Sequence, residues 1–119
     1  MNEKVLLIDD DKELSVEMTE ILEAEGYSVQ VAFDGKQGED FIRKSRHDII
    51  LIDFKLPGTT GVELLKKVRT LSPGSRFFFI SGRPFIEQLI KKEGLSKTVS
   101  GYVKKPFDVK EFLEKIKIS

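Results

Sequence analysis

The chain has no cysteine, which excludes disulfides, thiolate nucleophiles and cysteine-based zinc sites and fits a reducing cytosol. It has no long hydrophobic run. The first one, Val5-Leu6-Leu7-Ile8, stops at three aspartates, too short for a signal-peptide core or a membrane span. Nor does charge of one sign prevail: 20 basic and 20 acidic residues give a formal net charge of zero. Bulk charge therefore points to neither direct nucleic-acid binding nor an anionic membrane. These absences lead to the expectation of a cytoplasmic protein whose functional charges are local.

What is present suits one domain. At 119 residues, 39% hydrophobic and 34% charged, the chain is expected to fold as a single unit over 1–119 around a modest core. Short apolar runs alternate with amphipathic stretches. Val5 to Ile8, Ile49 to Ile52 and Phe77 to Ile80 are continuous apolar runs, the pattern of strands buried on both faces. Ser28 to Phe33 reads as a second strand and Tyr102-Val103 as a short fifth one. Between them, Leu14, Met18, Ile21 and Leu22 recur at helical spacing, as do Val62, Leu65, Val68 and Leu71, then Phe85, Ile86, Leu89 and Ile90, and finally Val109, Phe112, Leu113 and Ile116. The helix around Gln37 to Lys44 has the weakest pattern, with Gly38 inside it and only Phe41 and Ile42 as anchors. Asp108 is placed to cap the last helix. Five strands alternating with five helices predict an α/β fold, a doubly wound parallel sheet in the order 2-1-3-4-5.

In such a sheet, ligands gather at the carboxyl ends of the strands. Strand 1 ends in Asp9-Asp10-Asp11, strand 3 in Asp53 and strand 4 in Ser81, and strand 5 leads to Lys105. Clustered carboxylates repel and need a cation or a raised pKa. Oxygen donors without histidine or cysteine disfavour zinc and suit Mg²⁺. A metal-shielded carboxylate can attack a phosphorylated donor, while a lysine and a hydroxyl hold phosphoryl oxygens as charge builds. Each residue also has a plainer reading: Asp10 or Asp11 as the cap of the first helix with Glu13, Ser81-Gly82 as a turn, Lys104-Lys105 as a solvated pair, Tyr102 as a packed aromatic. His47 reads as a surface residue, and the lysines of the last three helices as solvated faces.

The segments VLLIDDD, DIILIDFKLPGTTGVELLKKVR, FFFISG and GYVKKPF resemble, in order and across nearly the whole chain, the signature blocks of response regulator receiver domains. The resemblance implies the flavodoxin-like receiver fold and assigns roles by position. Asp53 would be the phosphoacceptor. Asp9 and Asp10 would be the acidic pair that binds Mg²⁺, Asp10 directly and Asp9 through water, with Asp53 and the Lys55 main-chain carbonyl as further ligands. Ser81 and Lys105 would contact the phosphoryl group, Ser81 and Tyr102 would act as switch residues, and Lys105-Pro106 would be cis. The donor would be a sensor histidine kinase or a histidine phosphotransfer protein. The response would be a change at the helix 4–strand 5–helix 5 surface, read by a downstream protein, in a monomer or a phosphorylation-dependent dimer. With no output domain after Ser119, signalling is expected to pass through protein contact, or the chain is a receiver excised from a longer protein. It would catalyse its own phosphorylation and dephosphorylation and not act as a conventional turnover enzyme.

Rival readings are an interaction module independent of phosphorylation, a flavin binder, and a small Asp-nucleophile phosphatase of the haloacid-dehalogenase type, whose opening motif Asp9-x-Asp11 imitates. The acidic first loop argues against flavin phosphate. Two features depart from the family's pattern. Lys55 and Arg83, each two positions beyond a site residue, are long and basic and are expected to slow hydrolysis of the phosphoform. The stretch Gly94 to Ser100 lacks the usual Gly-Ala step and reads as slightly longer.

Overall fold

Each apolar run forms a strand, and a helix follows each strand. In the computed structural model, which describes residues 3–118, the elements are β1 (Lys4–Ile8), α1 (Lys12–Ala24), β2 (Ser28–Ala32), α2 (Gly35–Lys44), β3 (Ile49–Asp53), α3 (Gly61–Val68), β4 (Arg76–Ser81), α4 (Ile86–Lys92), β5 (Val99–Lys104) and α5 (Val109–Ile118). The five strands pair in parallel in the order β2-β1-β3-β4-β5, as expected. A two-stranded ribbon, Lys55–Leu56 against Thr59–Thr60, lies between β3 and α3. Among the described residues, no helix is long and apolar enough to cross a membrane.

The central strands are apolar throughout because both sides of the sheet are covered. Alternate residues point to opposite faces. Leu6, Ile8, Ile50, Ile52, Phe77 and Phe79 join Ile42, Val62, Leu65 and Ile90 in one cluster, under α2, α3 and α4. Val5, Leu7, Ile49, Leu51, Phe78 and Ile80 join Met18, Leu22, Phe112 and Ile116 in the other, under α1 and α5. Full burial of each large side chain contributes roughly 1.5–3 kcal/mol, and the two clusters together hold the strand ends in line.

Capping decides which of the first acids is free. Asp11 caps α1, its carboxylate accepting from the Leu14 N–H at 3.0 Å, so Asp10 remains available to the strand ends; Glu13 takes no part in the cap. Asp34 caps α2 by accepting from Gln37 N–H at 2.8 Å, and Gln37 Oε1 accepts in return from Phe33 N–H at 2.8 Å. These two bonds, one to the cap and one to the residue before it, start α2 at Gly35, two residues before the expected Gln37. Asp108 caps α5 as expected, accepting from Glu111 N–H at 3.0 Å.

Several local expectations are corrected. His47 is not a surface residue: it is 3% exposed, its Nε2 lies 2.9 Å from Gln30 Oε1, and its carbonyl accepts from Ser75 Oγ. Burial pushes its imidazole below the ordinary histidine range, with Lys4 adding to the effect. The fifth strand begins at Val99, not at Tyr102, with a register shift that pairs Phe77 with Val99 and Phe78 with Gly101. Ser100 is the extra residue of this bulge. β2 stops at Ala32, and α3 stops at Val68, leaving Leu71 38% exposed. α4 begins at Ile86, because Phe85 adopts a left-handed φ of 66° and cannot continue into helix.

Two glycines are dictated by close approach. A Cβ at Gly38 would lie 2.6 Å from Ile8 Cδ1, which explains a glycine inside α2. A Cβ at Gly61 would lie 2.6 Å from the Asp53 carbonyl oxygen and 2.7 Å from the Phe79 ring, so glycine lets α3 start directly beneath the end of β3. Gly61→Ala is expected to lower stability by roughly 2–3 kcal/mol through overpacking, measured by urea unfolding; an unchanged midpoint would contradict this packing.

Candidate functional site

The parallel register sets the site. β1, β3 and β4 end in line, and each places a polar residue just where its apolar run stops: Asp9 follows Ile8, Asp53 ends β3 and Ser81 ends β4. Lys105 arrives from the end of β5, its backbone N–H donating to the Ser81 carbonyl at 3.0 Å. The Lys105-Pro106 bond is cis, as expected. A cavity of about 560 Å³ opens there, lined by Asp10, Asp53, Lys55, Ser81, Arg83 and Lys105 among others.

The carboxylates face one another around one ammonium. Oxygens of Asp9, Asp10 and Asp53 lie within 4.8 Å of one another. Lys105 Nζ stands 3.2 Å from Asp9 Oδ2 and donates to Asp53 Oδ2 at 3.3 Å. Asp9 is fully buried. Its Oδ1 accepts from Asp11 N–H at 2.9 Å, whereas no aligned hydrogen bond reaches its Oδ2, which has only the ion-pair contact with Lys105. Asp53 Oδ1 accepts from Lys55 N–H at 3.3 Å, and Ser81 Oγ accepts from Arg83 N–H at 3.0 Å.

Electrostatics follow from this crowding. Burial, then the neighbouring Asp9, push the Asp53 carboxyl up from 3.8 to about 6, against the pull of Lys105. Burial alone would lower Lys105, but Asp53 and Asp9 outweigh it and hold the ammonium above the ordinary lysine range. Three carboxylates against one ammonium leave an excess of negative charge, and Asp9 Oδ2 is a buried acceptor short of an aligned donor. All the donors are oxygens. The cluster fits a hard divalent cation.

The expected residues are thus gathered, with two qualifications. The side chain of Lys55 is exposed at the rim, with its backbone N–H turned to Asp53. Tyr102 does not line the carboxylate cavity. It is half-buried on β5, packed, like Ile86 and Leu89, against the cluster under α2, α3 and α4, and it shares with Ser81 a neighbouring groove of about 350 Å³. Burial, then Glu87, raise its phenol above the ordinary range. One contributor is absent from the sequence reading: Phe54, on whose ring the Arg83 guanidinium rests at 5.4 Å from the centroid. Its only signal was its place next to Asp53.

The raised Asp53 pKa has a consequence for stability. A group whose pKa is higher folded than unfolded favours the fold fully below the unfolded value and loses that contribution as pH rises through the folded one. Ionised Asp53 therefore weakens the metal-free fold above about pH 6. Asp53→Asn is expected to be more stable than wild type at neutral pH by on the order of 2–3 kcal/mol, in chelator and by urea unfolding. The gap should close towards acid pH; a gap independent of pH would contradict the account.

A model of the response regulator receiver domain matches residues 5–117. Sporulation initiation phosphotransferase F of Bacillus subtilis (strain 168) is 30% identical over 117 residues, which cover 98% of this chain and 93% of that protein. Regulatory protein VanRc of Enterococcus gallinarum is 34% identical over 120 residues, covering 98% of this chain but 49% of that protein, so the chain spans about half of that longer relative. Among solved structures, a CheY-like response regulator receiver domain protein from Methanospirillum hungatei JF-1 superposes with a TM-score of 0.89 at 32% identity, over 98% of this chain and 92% of that one. Chemotaxis response regulator CheY4 of Vibrio cholerae gives 0.88 at 28% identity, over 98% of both chains. Because these matches run from the first strand to the last helix and include every strand end that meets at the cavity, the chain belongs to the response regulator receiver domains of two-component signalling.

Proposed function

We propose that the chain is a phosphorylation switch that takes a phosphoryl group on Asp53 from a phosphohistidine donor. The observation that carries this reading is the convergence of Asp53 with Asp9, Asp10 and Lys105 at the strand ends. Asp9, Asp10, Asp53 and the main-chain carbonyl of Lys55 would hold Mg²⁺, which supplies positive charge to offset the carboxylates and the incoming phosphoryl oxygens. Asp53 attacks phosphorus, the P–N bond of the donor breaks as the P–O bond to Asp53 forms, and the released imidazole takes a proton. Lys105 and the Ser81 hydroxyl hold phosphoryl oxygens on the side away from the acids.

Ser81 links the reaction to the surface, since it borders both the carboxylate cavity and the groove that holds Tyr102. Movement of Ser81 towards the new charge frees room for Tyr102 to turn inward, shifting an existing equilibrium at the α4–β5–α5 face for a downstream protein to read. The donor is a sensor histidine kinase or a histidine phosphotransfer protein, and the chain acts in the cytoplasm as a switch, not as a turnover enzyme. Incubation with acetyl phosphate and Mg²⁺ followed by intact mass is expected to show one phosphoryl adduct, absent with chelator and absent in Asp53→Asn. An adduct on that variant, or none on wild type, would overturn the reading.

Lys55 and Arg83 flank the reacting carboxylate at the cavity rim, and Phe54 holds Arg83 in place. Both side chains restrict the approach of water to the acyl phosphate. Lys55→Asn and Arg83→Ala are each expected to shorten the half-life of the phosphoform several-fold, followed by loss of the adduct over time; equal half-lives would remove this role.

A further inference from the structure

The zero net charge conceals a separation along the chain. Residues 1–53 carry fourteen acidic and six basic residues, and residues 54–119 carry six acidic and fourteen basic ones. Because the strand order is β2-β1-β3-β4-β5, this division in sequence is also a division in space. The first half builds the β2 side of the sheet and the second half the β5 side.

On the acidic side the excess concentrates on the outer face of α1. Glu13, Glu17 and Glu20 follow one another at four- and three-residue steps, a single helical face about 10 Å long. These three and Glu23 are exposed, and among the described residues none of them forms an ion pair. The one lysine of α1, Lys12, is drawn aside over the Phe33 ring at 5.5 Å from the centroid. Val16, 59% exposed, lies within the same helix surface.

On the basic side, a groove of about 580 Å³ runs between the end of α3 and the start of β5, lined by Arg69, Lys97, Thr98 and Ser100 over Phe77, with no carboxylate in its walls. The Ser100 bulge shapes its β5 side. Arg69 is close enough to act on Lys66, and Lys92 on Glu93, across the 2.5 Å Lys66–Glu93 ion pair that ties α3 to α4. Arg69, Lys92 and Lys97 form no ion pair among the described residues. Leu71, 38% exposed, adjoins the groove residue Thr70.

We propose that the chain associates head to tail with a second copy of itself, the acidic face of α1 docking at the basic Arg69–Lys97 groove of the next copy. Charge complementarity selects the occupant: among the described residues each face carries unpaired charge of the sign the other lacks, and each has an exposed aliphatic side chain within or beside it, Val16 on the α1 face and Leu71 next to Thr70 of the groove. The two faces lie on opposite sides of the sheet, since α1 packs with α5 on one cluster and α3 with α4 on the other. One molecule therefore cannot satisfy itself. The contact is heterologous and continues from copy to copy. It requires no phosphoryl group and stands apart from the proposed reaction at Asp53.

Long-range attraction between exposed charges is screened by salt. It acts over roughly 30 Å at about 10 mM salt and roughly 8 Å at about 0.15 M. Sedimentation velocity of the full chain is expected to show a mass that rises with protein concentration at about 10 mM salt and reverts to monomer at about 0.15 M. The double variants Glu17→Lys/Glu20→Lys and Arg69→Glu/Lys97→Glu, each with native circular dichroism, are expected to be monomeric alone and to associate when mixed in equal amounts. Carbodiimide coupling should link α1 glutamates to Lys97. A wild type that stays monomeric at low salt, a variant that still associates alone, or a mixture that stays monomeric would each overturn the proposal. Low-salt association that survives both variants would point to another face of the molecule.

Discussion

One ammonium between two buried carboxylates governs the functional end of this molecule. Asp9 and Asp53 sit on neighbouring strands with almost no exposure, and Lys105 reaches both from β5. Two like charges out of water destabilise the fold unless something offsets them. Lys105 offsets part of that, and the rest appears as a raised Asp53 pKa and as a carboxylate oxygen on Asp9 without an aligned donor. The site is therefore held in a state that a cation would relieve. Receptivity to charge is built into the resting fold.

The strain at that end is borne by the apolar clusters on either side of the sheet. Four strands meet the cavity, and their register places the polar residues together only because both faces are packed. Gly61 brings α3 against the carbonyl of Asp53 itself, and Asp11 is committed to capping α1 so that Asp10 is not. Small local choices thus decide which acids belong to the site and which to the scaffold.

The same separation of roles extends to the surface. The helix that begins beside the carboxylates carries Glu13, Glu17 and Glu20 outward, while the groove beside β5 presents Arg69 and Lys97, and among the described residues none of these five forms an ion pair. A neutral chain can therefore present two strongly charged faces, and net charge alone gives no sign of either.

Much of the fold was legible in the linear pattern. Continuous apolar runs such as Ile49 to Ile52 make sense only as strands covered on both faces, and a carboxylate or hydroxyl at the end of each run marks the edge where those strands meet solvent. Asp9, Asp10, Asp53, Ser81 and Lys105 are legible as one group in the linear pattern, because strand direction and alternation are local properties. What depends on residues distant in sequence was not legible. His47 is buried through Gln30 and Ser75, and Gly38 is dictated by Ile8. The start of β5 depends on a bulge opposite Phe77, and α4 begins where Phe85 turns left-handed. The stacking of Arg83 on Phe54 likewise joins residues from two different loops. The sequence by itself determined the order of elements and the chemistry of the strand ends. The tertiary structure decided which acids were spent on caps, how far Asp53 is from ordinary ionisation, and how the charges divide in space, since each of these is set by packing between segments that no local pattern records.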